Sequence, residues 1–148
     1  MAKFIYRMQN ILDIKLKLES QAKIVYSQAN AAIREEEAKL VKLFERKNAY
    51  DSRAKELVEG KIDLLEIKTC RQAIESMKVL IRRQMMQVQV AEKNAEVARQ
   101  KLEEVMKERK TQEKLREKDF EDFKQQLAQE DNKVVDELVS YSYGRPKK

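Results

Sequence analysis

The sequence predicts an all-α fold: two long helices forming an antiparallel coiled-coil hairpin with a C-terminal helical overhang. Three observations predict it. Ala, Glu, Lys, Leu and Arg supply 77 of the 148 residues, a share typical of coiled coils and long helices when helical periodicity accompanies it. Gly60, Gly144 and Pro146 are the only Gly or Pro residues in the chain, whereas a sheet protein or an α/β enzyme needs many turns built from Gly, Pro and Asn. Leu, Ile, Val and Phe make up 25% of the chain and charged residues 39%. That balance suits a thin apolar seam rather than a deep core.

Helix one is expected over about residues 4–58, a stretch without Gly or Pro. Apolar or small residues recur at Met8, Ile11, Leu18, Ala22, Val25, Ala29 and Ala32, with Lys15 filling one step. The stripe then continues through Leu40, Leu43, Tyr50, Ala54 and Leu57. Between the two parts the spacing slips near Ile33, which reads as a stutter in a continuing helix. Gly60 suits the left-handed position just past a helix end. Asp63 followed by Glu66 resembles a capping box, so a bend is expected over 59–69, with helix two or a short helix leading into it starting there.

Helix two is expected over about 70–141, with a tail at 142–148, and the whole chain is read as one coiled-coil domain. Its heptads are strict: Ile74, Ile81, Val88, Ala95 and Leu102 form one set, and Met77, Gln84, Ala91, Ala98 and Val105 the other. Two interleaved sets at this spacing meet the sequence test for a coiled coil. After Val105 the register is read as moving by one, to Met106, Phe120, Leu127, Val134 and Tyr141. Ten of the thirteen residues from Lys107 to Asp119 are charged.

A short break between two long helices folds them back as a hairpin. Pairing outward from the bend sets Leu57 near residues 65–67 and Met8 near residue 115. Helix two then outruns helix one, and Phe120, Phe123, Leu127, Val134, Leu138 and Tyr141 form an unpartnered stripe of the kind that marks a partner site. In the alternative arrangement Phe120 and Phe123 fold back on Phe4 and Tyr6.

The composition excludes most chemistry. There is no His, so the commonest general base and metal ligand is missing. The single cysteine, Cys70, cannot make an intramolecular disulfide or a thiolate zinc site, and it reads as an inert seam thiol. Isolated glycines make no phosphate cradle. No enzyme activity, metal or cofactor is expected. The opening carries Arg7, Asp13, Lys15 and Lys17, which interrupts any apolar run of a secretory signal, and no stretch approaches the roughly 20 apolar residues of a membrane span. A cytoplasmic protein is expected. The net charge of +6 divides into +3 over residues 1–60 and +3 over 61–148. Nucleic-acid sites concentrate basic charge and add a groove-reading motif, so nucleic acid is not an expected partner. Met85-Met86 leaves one Met facing outward. Arg109, Lys110, Lys114 and Arg116 read either as a solvated face or as a surface meeting acidic loops of a partner.

Three features together resemble the flagellar export protein FliJ family. They are the opening Phe4-Ile5-Tyr6-Arg7-Met8 with Ile11-Leu12, the tip Gly60-Lys61-Ile62-Asp63 with Cys70 to Met77, and the charged run Glu108 to Lys118. The resemblance covers nearly the whole chain. It implies a component of the flagellar type III export apparatus, peripheral at the inner face of the cell membrane through protein contacts. The implied structure is an antiparallel two-helix coiled coil similar to the central stalk of rotary ATPases. The implied role is non-enzymatic: the paired helix ends enter the hexameric export ATPase FliI, promote its assembly and activity and link it to the export gate protein FlhA, while substrate chaperones are recycled.

Carried onto this sequence, the ATPase-facing residues are Phe4, Tyr6, Met8, Arg109, Lys110, Lys114, Arg116, Phe120, Phe123 and Leu127. The face for the gate and chaperones falls on Leu43, Tyr50, Ala73, Met77, Leu80 and Gln84. Cys70 and Ala73 stand where some relatives carry larger rings. Two rival readings are a coiled-coil chaperone or scaffold that involves no ATPase, and the related stalk of a virulence type III secretion system.

Overall fold

The computed structural model describes residues 3–144, with side chains described as far as Tyr141. Two helices account for almost all of it: α1, Gln9–Leu57, and α2, Leu64–Gly144. No strand occurs among the described residues. The helices pack against each other, giving the all-α helical hairpin that the heptads predict. The chain divides into two compact units, one made of Met1–Ser20 with Glu104–Lys148 and the other of Gln21–Glu103.

The turn in the Gln21–Glu103 unit follows from its residue types. Gly60 sits at φ +75°, a conformation that costs glycine little and other residues more. Asp63 then caps α2: its Oδ1 accepts the backbone N–H of Leu65 at 3.0 Å and of Glu66 at 3.4 Å. Ile67 N–H already donates to the Asp63 carbonyl at 3.1 Å. Helix two therefore begins at the cap, six residues before the expected start at 70, with no separate helix leading in.

In this unit every member of the two α2 heptad sets from Ile74 to Leu102 is buried or half-buried, with Met77, Ile81, Ala91, Ala95 and Ala98 forming its core. The α1 side of the seam differs from expectation. The residues turned inward are Ala22, Tyr26, Ala29, Ile33, Glu36, Leu40, Leu43, Lys47, Tyr50, Ala54 and Leu57. Their steps alternate four and three throughout, so there is no stutter at Ile33. The expected slip comes from taking Val25, where the seam residue is its neighbour Tyr26; Glu36 and Lys47 are polar residues that also occupy seam positions. Val25 is 53% exposed and lies beside the seam, not in it. Cys70 is buried, and its Sγ lies 3.3 Å from the Tyr50 carbonyl oxygen.

In the other unit the inward residues of α1 are Leu12, Lys15 and Glu19. Ile11 and Leu18, expected in the seam, are exposed on its flank. On α2, Arg109 and Gln112 continue the spacing set by Leu102 and Val105 and are half-buried, so the expected register shift after Val105 does not govern this pairing. Helix one starts at Gln9, not at residue 4. Residues 3–6 leave the helix, and this lets Phe4 and Tyr6 reach α2. The expected tail falls partly within α2, which runs to Gly144; residues 145–148 lie outside the described residues.

Candidate functional site

All ten residues expected to face the ATPase lie in the Met1–Ser20 with Glu104–Lys148 unit. The Phe4 ring lies 5.0 Å from that of Phe120, edge-on, and 5.5 Å from that of Phe123. Aromatic pairs at such separations add to stability beyond the area they bury. Arg116 places its guanidinium carbon 5.8 Å from the Phe4 centroid and donates from Nε to Gln9 Oε1 at 3.1 Å. Lys124 Nζ lies 4.6 Å over the Phe120 ring. Tyr6 is buried, and its hydroxyl donates to Gln112 Oε1 at 3.1 Å. This is the fold-back arrangement of the two considered from the sequence. The exposed stretch accordingly begins later than Phe120.

Beneath the aromatic cluster the pairing is ionic. Arg109 grips Glu19 through Nε at 2.6 Å and Nη2 at 3.2 Å, and reaches Glu113 from Nη1 at 2.9 Å. Glu19 is the one polar residue buried to 5% exposure among the described residues. These carboxylates hold the Arg109 guanidinium even more firmly protonated than usual, chiefly through the Glu19 hydrogen bonds. Lys15 Nζ meets Glu108 Oε2 at 2.7 Å. Arg109 is thus an internal latch, whereas Lys110 and Lys114 are exposed. Met8 is exposed, and Leu127 half-buried.

Every described residue from Ala128 to Tyr141 is exposed, and Val134, Val135, Leu138 and Val139 are large apolar residues among them. This stretch also carries Glu130, Asp131, Asp136 and Glu137 against Lys133, a net charge of −3. Halving the chain averages this local acidity away; a count over successive helical turns reveals it.

The six residues expected at the gate face lie in the Gln21–Glu103 unit. Met77 is core, and Leu43, Tyr50, Ala73, Leu80 and Gln84 are half-buried seam positions. Gln84 donates from Nε2 to the Glu36 carbonyl at 2.9 Å and to its carboxylate. That hydrogen bond, more than the neighbouring Lys39, holds the Glu36 carboxyl below its ordinary value although burial opposes it. Large apolar residues of this unit that are exposed include Val41, Phe44 and Val79, each next in sequence to an expected gate-face residue or within two of one, and at the turn Val58, Ile62, Leu64 and Leu65. Heptad periodicity marks residues that face inward and so gives no signal for these.

Among the described residues no cluster of His, Cys, Asp or Glu could hold a metal ion. Among the same residues no helix is long and apolar enough to cross a membrane. The fold and its seam define an all-α protein of two long helices packed against each other. The family model described as the flagellar FliJ protein matches residues 4–148, and the chain belongs to that family. No match is found among curated proteins or among solved structures.

Proposed function

We propose that this chain is a non-enzymatic stalk of the flagellar export apparatus. Its paired helix ends enter the FliI hexamer and promote ring assembly and ATP hydrolysis. The observation that carries the reading is the end of α2. The helix is anchored through Phe120 and Phe123 to Phe4, then continues to Gly144 with its apolar residues uncovered. From Ala128 to Tyr141, all exposed, it extends roughly 21 Å at about 1.5 Å per residue. A bare helix of that length, braced at its base, suits insertion into a ring better than the side-on grip of a scaffold.

The test is the ATP hydrolysis rate of the cognate export ATPase with increasing amounts of this protein. A saturable rise supports the stalk. An unchanged rate, under conditions where the ATPase forms its ring, favours the chaperone or scaffold reading. The cytoplasmic setting, peripheral at the membrane, belongs to the same proposal.

The link to FlhA and the recycling of export chaperones would use the Gln21–Glu103 unit. Leu43, Tyr50 and Leu80 offer their exposed edges there, and Phe44 stands beside them at 39% exposure. Phe44→Asp should abolish gate capture in a pull-down and leave ATPase stimulation unchanged. Capture that survives this substitution would move the gate contact elsewhere.

A further inference from the structure

Two faces of the Met1–Ser20 with Glu104–Lys148 unit are apolar, exposed and matched to each other. On α1, Ile11, Ile14 and Leu18 stand 38%, 55% and 39% exposed. They are spaced three and four residues apart, one position away from the seam residues Leu12, Lys15 and Glu19. This is a second heptad stripe with no helix on it. On the bare end of α2, Val134 and Leu138 stand 55% and 62% exposed and are also four residues apart. Exposed apolar stripes at heptad spacing are the surfaces that zip helices together.

Their charges are opposite. Residues 3–18 carry Lys3, Arg7, Lys15 and Lys17 against Asp13, a net +3, and residues 128–141 carry a net −3. Complementary potentials of this kind choose partners and set register. The two faces of one chain do not meet, because α2 continues as an unbroken helix past Phe123 and leaves residues 128–141 exposed.

We propose that they meet between two copies of this chain: the bare end of α2 in one copy lies along the Ile11–Ile14–Leu18 stripe of the other, and reciprocally. Because both contacts form between the same two copies, the exchange is closed and two-fold and yields a dimer; the same faces joined to successive copies would give a polymer, which sedimentation distinguishes. The dimer covers Val134 and Leu138 in the absence of other partners. It would hold the end of α2 out of circulation until a tighter partner displaces it. The proposal does not depend on what that partner is.

Sedimentation equilibrium of the full chain, from micromolar to millimolar concentration and at low and high salt, tests it. The expected result is a monomer–dimer equilibrium that weakens as salt rises, because exposed charges are screened. Ile14→Asp with Leu18→Asp, and separately Val134→Asp with Leu138→Asp, should each give a monomer with unchanged helical circular dichroism. Mixing the two doubly substituted chains should restore a weaker dimer, since one of the two contacts is then intact. Lys17→Glu, which removes no apolar contact, should weaken the dimer several-fold.

A wild-type chain that stays monomeric at millimolar concentration overturns the proposal. So does a dimer that survives Ile14→Asp with Leu18→Asp, which would mean the bare helix ends zip to each other. Loss of helicity in either doubly substituted chain also overturns it, because the stripe would then be core.

Discussion

The two units use one heptad frame for opposite purposes. In the Gln21–Glu103 unit the buried seam positions are small and apolar, Ala91, Ala95, Ala98, Met77 and Ile81 among them, and the polar members Glu36, Lys47 and Gln84 are only half-buried. In the Met1–Ser20 with Glu104–Lys148 unit buried Leu12 and Val105 are joined at the following seam positions by Lys15, Glu19, Arg109 and Gln112, each with a partner across the seam or beside it. Apolar layers supply stability in proportion to the area they remove from water. A buried ion pair adds little of that, because desolvation offsets the attraction, and its best-attested use is to fix register. The comparison therefore assigns cohesion to one unit and alignment to the other. Alignment matters where a helix must project at a defined place.

Substitutions should break this comparison unequally. Met77→Ala removes a buried side chain and should destabilise the protein by about 2–5 kcal/mol, read as a fall in the denaturant midpoint. Ala95→Leu should cost about 1–3 kcal/mol by overpacking a seam sized for Ala. The same Leu at exposed Ala128 should leave the midpoint unchanged.

Arg109→Ala should act locally and less. It takes the cation from a Glu19 that is only 5% exposed, so amide exchange should quicken around Glu19 and Gln112 while the amides near Met77 keep their protection. Uniform loss of protection would show that the latch contributes to global stability.

Acid should have the smallest effect on stability. The Glu36 and Glu96 carboxyls are held below their ordinary value of 4.5, the first chiefly by the Gln84 hydrogen bond and the second by that of Arg99. A lowered folded-state pKa means that this stability is fully present above the unfolded value and is lost as pH falls through the folded one. Melting temperature should therefore hold down to about pH 5 and fall below it, given unfolded carboxylates near 4.3. Gln84→Leu should blunt that fall. An identical acid profile in this variant would rule out the Gln84 contribution.

How much was legible in the sequence follows the same division. The α2 heptads from Ile74 to Val105 could be read directly because their occupants are nearly all apolar, and burial follows apolar area. The α1 seam could not. Glu19, Glu36 and Lys47 occupy inward positions, while Ile11, Leu18 and Val25 sit one residue away, so a reading by hydrophobicity selects the flank. Only the partners across the seam, Arg109 for Glu19 and Gln84 for Glu36, make the polar positions inward, and those pairings are not local in sequence.

The start of α1 departs from expectation for a related reason. The first residues have good helical spacing, but the rings of Phe120 and Phe123 offer Phe4 more than another helical turn would. The family could be read from the opening, tip and charged motifs. The acidity of the α2 end could also have been read, given a shorter counting window.

In the proposed stalk the bare end of α2, and not the turn, engages the ATPase. Two variants measured side by side test it, each carrying charges at exposed sites: Val134→Asp with Leu138→Asp, and Leu64→Asp with Leu65→Asp, where Leu64 and Leu65 are 79% and 72% exposed. Both should keep wild-type helicity. In the ATP hydrolysis assay the turn variant should stimulate FliI as the wild type does, and the α2-end variant should not stimulate it. Stimulation that survives at the α2 end, or is lost at the turn, would contradict the account.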